Sequence, residues 1–377
     1  MLPMNDAVLA ARRSAIREFS RMARETPGCI ALTLGEPDFD TPASVRQAAC
    51  QALDAGETHY IENCGAPELR QAIADFERVR NGMDYGPDEV IVTVGATEAL
   101  FTALFGILNP GDEVIVPTPA FGLYESIVGL CRGVFVPLPT AQNGFQIDRA
   151  QLEAAISPRT RAIILNSPNN PTGCVYTPAS LQAVHDAVAG REIFVLCDDV
   201  YRQLTYGTQA RSFAEYRDLR DRIVVIQSFS KPYAMTGWRV GYLLADLPVK
   251  RELEKVHQFC VVSAASTAQR ACIEALRCDP SAMLDVYRRR RDFALRRLAE
   301  MEMEVCPPEG AFYLFPSIAR YGMDSAQFCT RMIREAGLAA TPGFCFGADD
   351  HIRLSYCCDD ALLAEGLNRL ERFLRGL

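Results

Sequence analysis

What the sequence lacks removes several classes of protein at the outset. No apolar run approaches the roughly eighteen residues needed to cross a bilayer, so no membrane partner is expected. The start, Met1-Leu-Pro-Met-Asn-Asp6, has neither a basic segment nor an apolar one, so no secretory leader is expected. None of the 14 cysteines is paired at Cys-x-x-Cys spacing, and the 4 histidines (His59, His185, His257, His351) are scattered away from them. That argues against a zinc site or other metal centre. Positive charge is not in excess either. A formal net charge of −8 disfavours nucleic acid or an acidic membrane surface as partner. There is no Gly-x-Gly-x-x-Gly and no Walker lysine, which disfavours a dinucleotide or a nucleoside triphosphate. Internal repeats and low-complexity tracts are also missing.

Several abundant features have ordinary explanations. Cys197, Cys260 and Cys272 lie in apolar patterns and read as small core residues. With no disulfide spacing to set against this, a reducing, cytoplasmic location is expected. The basic run Arg288-Arg-Arg-Arg291 falls in a helical pattern with acids nearby and reads as a solvated helix face.

The 377 residues are 49% hydrophobic and 23% charged, a globular composition in a chain too long for one ordinary core. The pattern opens with a helix-like stretch over 6–24, a strand over 29–34 and a Gly/Pro/Asp-rich loop over 35–42. Two amphipathic helices between 43 and 81 flank residues 58–65. Apolar strands then recur near 90–94, 113–116, 134–138, 162–166, 193–198 and 223–227, with helical patterns at 97–108, 149–156 and 178–189 between them. Runs that are apolar throughout suit parallel strands covered on both faces, so a wrapped, mostly parallel α/β sheet is expected. Beyond 247 come helical patterns over 249–278 and 281–300, short strands near 312–315 and 351–356, and a last helix over 360–375. The expected division is a large domain at 43–285 and a smaller α+β domain formed from 1–42 and 286–377.

Chemistry gathers just past the carboxyl ends of those strands, where open α/β sheets place their ligands. In Ser228-Phe-Ser-Lys231 a lysine follows the strand, and Arg239 lies eight residues on. A desolvated lysine beside a second cation tends toward a lowered pKa and a nucleophilic amine, and hydroxyls with an arginine suit a phosphate. The Gly95 turn opens a helix at Ala96 and Thr97, a further anion seat. Asn166-Ser-Pro-Asn-Asn-Pro-Thr-Gly173 is a rigid loop that can aim an amide, with an ordinary Asx turn as the plainer reading. Asp198 ends a nearly all-apolar strand, where its carboxylate needs a cationic partner such as a protonated ring nitrogen. A helix N-cap role suits Asp199 better. Phe121 and Tyr124 offer rings that could stack on a flat cofactor, although core packing is the commoner use. Arg353, inside an apolar strand, calls for a carboxylate, internal or from a substrate. An amine, a phosphate seat, a ring acid, an amide with a phenol, and a stacking ring together fit one coenzyme, pyridoxal phosphate.

Over nearly its whole length the chain resembles the fold-type-I aminotransferases of class I/II. The likeness runs from Leu34-Gly-Glu-Pro-Asp38 through Asn169-Asn-Pro-Thr-Gly173, Asp198-Asp-Val-Tyr201, Ser228-Phe-Ser-Lys231 and Gly237-Trp-Arg-Val-Gly241 to Ile352-Arg-Leu-Ser355. The resemblance implies a mostly parallel seven-stranded sheet in the large domain and pyridoxal 5′-phosphate as coenzyme. It makes Lys231 the residue that forms the Schiff base and then shuttles the substrate proton. Asp198 would hold the ring nitrogen protonated, Asn170 and Tyr201 would bond the ring oxygen O3′, and Phe121 would stack on the ring. Gly95, Ala96, Thr97, Ser228, Ser230 and Arg239 would form the phosphate seat. Tyr60 matches a tyrosine that reaches the phosphate of the neighbouring subunit, which implies a homodimer with shared sites. Arg353 would grip the substrate α-carboxylate, with the Gly35 backbone alongside and Asn170 near.

Two departures stand out. Asp198-Asp199 replaces the usual Asp-Glu, at a position that does not face the ring. Thr97 stands where some aspartate-preferring relatives carry a lysine, so strict dicarboxylate preference is not expected. Lys255-Val-His-Gln-Phe259 and Ser263-Ala-Ala-Ser-Thr267 resemble bacterial aromatic-amino-acid and acetyl-diaminopimelate aminotransferases. The expected activity is amino transfer from an L-amino acid, aromatic or of broad range, to 2-oxoglutarate by a ping-pong cycle. The same residues could serve a C–S β-lyase or another non-transaminating relative. A regulatory protein with an aminotransferase-like domain is disfavoured because no basic helix-turn-helix precedes the motifs.

Overall fold

In the computed structural model, which describes residues 2, 4–11, 13–207 and 210–377, a seven-stranded sheet carries the chemistry-bearing loops. The chain begins with α1 (Asp6–Ala10), α2 (Ala15–Glu25) and the short β1 (Ile30–Ala31). The single stretch expected over 6–24 is thus two helices; Arg12, and Met1 and Pro3 of the leader reading, lie outside the described residues. Helices α3 (Ala43–Asp54) and α4 (Pro67–Asn81) follow. Helix α4 has proline at its start and ends on Gly82 at φ 66°, the usual asymmetry of proline in and glycine out.

The alternating region runs β2 (Val90–Thr93), α5 (Gly95–Ile107), β3 (Glu113–Thr118), α6 (Leu123–Leu130), β4 (Val134–Pro139), α7 (Arg149–Ala155) and β5 (Thr160–Asn166). It continues with α8 (Pro178–Val188), β6 (Phe194–Asp198), β7 (Ile223–Ser228) and β8 (Gly241–Ala245). Their order across the sheet is β2-β8-β7-β6-β5-β3-β4. Only β8 is antiparallel to its neighbours, and it is the strand that the apolar pattern alone did not mark, because it begins inside the 228–241 motif. Interior strands are buried on both faces, whereas the edge strand β4 is largely open and carries Pro137 and Pro139. Proline is tolerated there because an edge needs no second row of donors.

The helical pattern expected over 249–278 is divided into α9 (Leu247–Val261) and α10 (Ser266–Ala275). Val262 breaks it at φ 68°, a region costly for a β-branched residue. Its carbonyl is held there by Asn63 Nδ2 at 3.0 Å. The rest comprises α11 (Ser281–Glu300), β9 (Tyr313–Leu314), α12 (Ser325–Ala336), β10 (Leu338–Ala339), β11 (Thr341–Pro342), β12 (Ile352–Ser355) and α13 (Asp360–Leu374). Here β11-β12-β9 form a three-stranded sheet, and β1 pairs with β10.

Two cores flank the seven-stranded sheet, and a further one gathers Phe19, Tyr287, Phe328, Leu367 and their neighbours. The segment after β6 joins them: Asp198 ends the sheet, while Tyr201, Leu204 and Tyr206 pack into the further core. Asp199 heads a turn rather than a helix, so it is no N-cap; it lies buried 3.6 Å from Arg202. Two surface readings also change. Arg290 is turned inward, paired with Asp38 at 2.8 Å and Asp360 at 2.6 Å, because α11 lays that face against α13 and the 35–42 loop. Cys260 is exposed, unlike the buried Cys197 and Cys272. Among the described residues no helix is long and apolar enough to cross a membrane, and no cluster of potential metal ligands occurs.

Candidate active site

At the carboxyl ends of β3, β5, β6 and β7 lies a cavity of about 290 Å³. Twelve of the fourteen residues to which the resemblance gives a site role line it. From the sheet and its loops come Ala96, Thr97, Phe121, Asn170, Asp198 and Tyr201. The 228–241 motif gives Ser228, Ser230, Lys231 and Arg239, and the opposite wall gives Gly35 and Arg353. Gly95 sits behind the cavity, and Tyr60 is outside it, 91% exposed beside His59 and Arg270.

Lys231 is half-buried, and its Nζ donates to the Gly35 carbonyl at 2.6 Å. Burial pushes the amine down to about 8; the Cys357 and Glu36 side chains oppose this, while the charges of Arg353 and Arg239 add to it. The pocket therefore gives a larger unprotonated, nucleophilic fraction near neutral pH than a free lysine has. The Gly35 backbone, expected alongside the substrate carboxylate, thus has its carbonyl engaged by this lysine. Glycine is required at 35, because a Cβ would lie 1.8 Å from the Tyr313 hydroxyl.

Asp198 is fully enclosed, and burial pushes its carboxyl up to about 6 despite the Tyr124 hydroxyl, the Val200 amide and the Lys231 charge. Its Oδ2 accepts the Tyr124 hydroxyl at 2.6 Å, while its Oδ1 is buried with no partner. An orphaned carboxylate oxygen at the floor of a cavity fits a protonated ring nitrogen, so the residues present suit a pyridinium coenzyme. Tyr124, read as a ring for stacking or for core packing, is thus a hydrogen-bond donor to Asp198, set edge-on to Phe121 with centroids 6.2 Å apart. Asn166 fastens the floor, with Nδ2 donating to the Asp198 carbonyl at 2.9 Å and Oδ1 accepting the Asn170 amide at 2.9 Å.

At the end of the cavity expected to seat the phosphate, Arg239 occupies the left-handed region at φ 54°, a strained setting for arginine of the kind that gathers at functional sites. It lies so close to Gly95 (φ 74°) that a Cβ there would be 2.5 Å from Nη2. The Ser228 hydroxyl accepts the Ser230 amide at 3.0 Å, ordering the loop toward the first amides of α5.

Arg353 is 3% exposed, and among the described residues no carboxylate pairs with it. Its Nη1 donates to Asn170 Oδ1 at 2.9 Å and its Nη2 to the Thr33 carbonyl at 2.5 Å. The guanidinium carbon lies 4.5 Å from the Tyr313 ring centroid and 4.9 Å from that of Phe346, and Nε has no partner. Of the two partners the sequence left open, an internal acid is absent among the described residues. Tyr313 was not singled out from the sequence; its hydroxyl meets that of Tyr201 at 2.8 Å. A tyrosine within an apolar strand was the one available signal, and only folding shows what it faces. Ile16, Leu34 and Leu123 likewise enter the cavity wall unannounced.

Comparison with known proteins agrees with this geometry. Residues 27–370 match the family model described as aminotransferase class I and II. The chain is 40% identical over 367 residues to a probable N-acetyl-LL-diaminopimelate aminotransferase of Bacillus subtilis, covering 96% of this chain and 93% of that one. It is 35% identical to aromatic-amino-acid aminotransferase 2 of Thermococcus litoralis, covering 99% of each. Among solved structures, the aspartate aminotransferase from Thermus thermophilus with maleate superposes with a TM-score of 0.94 at 36% identity, covering 99% of this chain and 100% of that one. A family match over most of the length, on a fold-type-I sheet with a lysine and an acid set for a pyridinium ring, places the chain in the class I and II aminotransferases, which transfer amino groups with pyridoxal phosphate.

Proposed function

We propose that the preferred donors are L-amino acids with apolar or aromatic side chains, and that 2-oxoglutarate is the acceptor. The observation that carries the reading is Arg353, a buried cation with no carboxylate partner among the described residues. It would pair with the substrate α-carboxylate, steadied by Asn170 and the Thr33 carbonyl. The cations lining the cavity among the described residues are Lys231, Arg239 and Arg353, and each already has a task. None remains within this chain for the side-chain carboxylate of a donor as short as aspartate, and Ile16, Leu34, Leu100 and Leu123 offer apolar wall instead; the longer 2-oxoglutarate would carry its second carboxylate to the open side of the cavity. Relatives whose names specify aspartate, aromatic and N-acetyl-diaminopimelate substrates are all similar to this chain, so likeness does not choose among them.

Pyridoxal phosphate, when bound, supplies an electron-withdrawing ring that takes up the charge left when the substrate Cα–H bond breaks. Lys231 Nζ would hold the coenzyme, then take the Cα proton and return it. Asp198 Oδ1 would keep the ring nitrogen protonated. Tyr201 and Asn170 Nδ2 would donate to O3′, and Phe121 would cover one ring face. Ser228, Ser230, Arg239 and the Ala96 and Thr97 amides would seat the phosphate, with Gly95 making room for the arginine. We further propose a cytoplasmic homodimer in which Tyr60, exposed and outside its own cavity, completes the neighbour's site. The division into 43–285 and a second domain of 1–42 with 286–377 belongs to the same reading.

The test is a single-turnover half-reaction of the coenzyme-loaded protein with each amino acid in turn, then with 2-oxoglutarate and pyruvate. Phenylalanine and tyrosine are expected to react at least tenfold faster than aspartate, since a buried unpaired carboxylate is costly. Faster reaction with aspartate would overturn the substrate reading.

A further inference from the structure

The first turn of α5 contains a buried charge that the site has no evident use for. Glu98 follows Thr97 directly and is 9% exposed. Its Oε2 accepts the Val94 amide at 3.0 Å and its Oε1 accepts the Thr102 hydroxyl at 2.6 Å. Facing it from α9 is His257, 0% exposed, with Nδ1 3.1 Å from Glu98 Oε1 and Nε2 2.8 Å from the Asn63 carbonyl oxygen.

Both neighbours of this imidazole are acceptors. A neutral ring has one N–H and satisfies only one of them. Donating to both would take a second proton on the ring, which would balance the Glu98 carboxylate and leave the pair neutral. That neutrality bears on the phosphate seat. The α5 amides that would receive an anion belong to the same turn as Glu98. An unneutralised carboxylate there would compete for the positive end of the helix and repel a phosphate across a short, poorly screened path. No other cation bonds Glu98 among the described residues. Lys250 is committed to Cys64 Sγ and Glu254, each at 2.9 Å, Arg239 bonds the Thr236 carbonyl, and Cys260 is the remaining titratable neighbour on α9.

We propose that His257 is a positioning residue for the coenzyme phosphate. It cancels the Glu98 charge in the turn that binds the phosphate, and through Asn63 it fastens that turn to the 58–65 loop bearing Tyr60. The role rests on the reading of the α5 start as the phosphate seat.

The experiment is calorimetric titration of coenzyme-free protein with pyridoxal phosphate and, separately, with inorganic phosphate. The proteins compared are wild type, His257→Leu, Glu98→Gln, the double variant and Arg239→Ala. His257→Leu is expected to weaken both ligands roughly tenfold or more, as an uncompensated buried charge should. Glu98→Gln alone is expected to stay within about threefold of wild type, and the double variant to return to that range, since removing the carboxylate removes the need for the proton. A double variant as weak as His257→Leu means a packing role and overturns the proposal. Should His257→Leu fail to fold, His257→Gln keeps a donor without the proton and is expected to show the same loss and the same rescue; wild-type affinity in it overturns the proposal. If Arg239→Ala leaves both affinities unchanged, the seat itself is misplaced and the role of His257 falls with it. If only the arginine variant weakens binding, the seat stands and His257 has no part in it.

Discussion

Asp198 shows how one residue can be costly to the fold and necessary to the chemistry. Burial raises its carboxyl from 3.8 to about 6 in the coenzyme-free protein. A group whose folded value lies above its unfolded one binds more protons in the fold between about pH 4 and 6, so stability falls as pH rises through that window and stays lower above it. A displacement of that size is of the order of 3 kcal/mol. Coenzyme-free Asp198→Asn is therefore expected to melt higher than wild type at pH 8, with the gap closing toward pH 4. Its transamination rate should fall by roughly two orders of magnitude or more, because an amide cannot hold the ring proton. Melting curves across pH and steady-state rates check both halves. Asp198 was legible in the sequence because a carboxylate ending an apolar strand demands a partner. Tyr313 was not, since its link to Tyr201 crosses 112 residues and depends on how two cores meet. Nor was the donor role of Tyr124, which requires knowing that α6 turns its ring beneath Asp198.

Among the elements, the βα turn that opens α5 is built with least tolerance. Gly95 has φ 74° and faces Arg239 so closely that a methyl group would displace the guanidinium. Gly95→Ala is expected to weaken pyridoxal phosphate binding roughly tenfold or more while costing about 1 kcal/mol of fold stability, to be read by calorimetry and by denaturant titration. An unchanged affinity would remove Arg239 from the phosphate seat. Elements with a clean period were legible in the chain: the apolar strands β5, β6 and β7 and the long α11 stand within a few residues of their expected places. The break at Val262 was hidden, because the residue that holds it, Asn63, is far away in sequence. Strand β8 was hidden by its overlap with the motif before it.

Across the whole molecule, the cavity lies where the sheet and the Arg353-bearing core face each other, so under the proposed roles one wall would carry the ring chemistry and the other the carboxylate seat. Tyr60 leaves the cavity incomplete within one chain under the dimer reading. Mixing Lys231→Ala with Tyr60→Ala after subunit exchange is expected to restore activity above both parents. In an equal mixture half of the dimers are hybrids with one intact site each, so about a quarter of the wild-type rate should return. No recovery above the parents would mean that each chain completes its own site.

The chain has only three lysines, Lys231, Lys250 and Lys255, and the last two are paired with Glu254 and Glu252. That makes one measurement especially direct: load the protein with pyridoxal phosphate, reduce with borohydride, digest, and locate the modified peptide by mass. The label is expected on Lys231 alone, and to disappear in Lys231→Ala. Label on Lys250 or Lys255, or none on any lysine, would contradict the site described above.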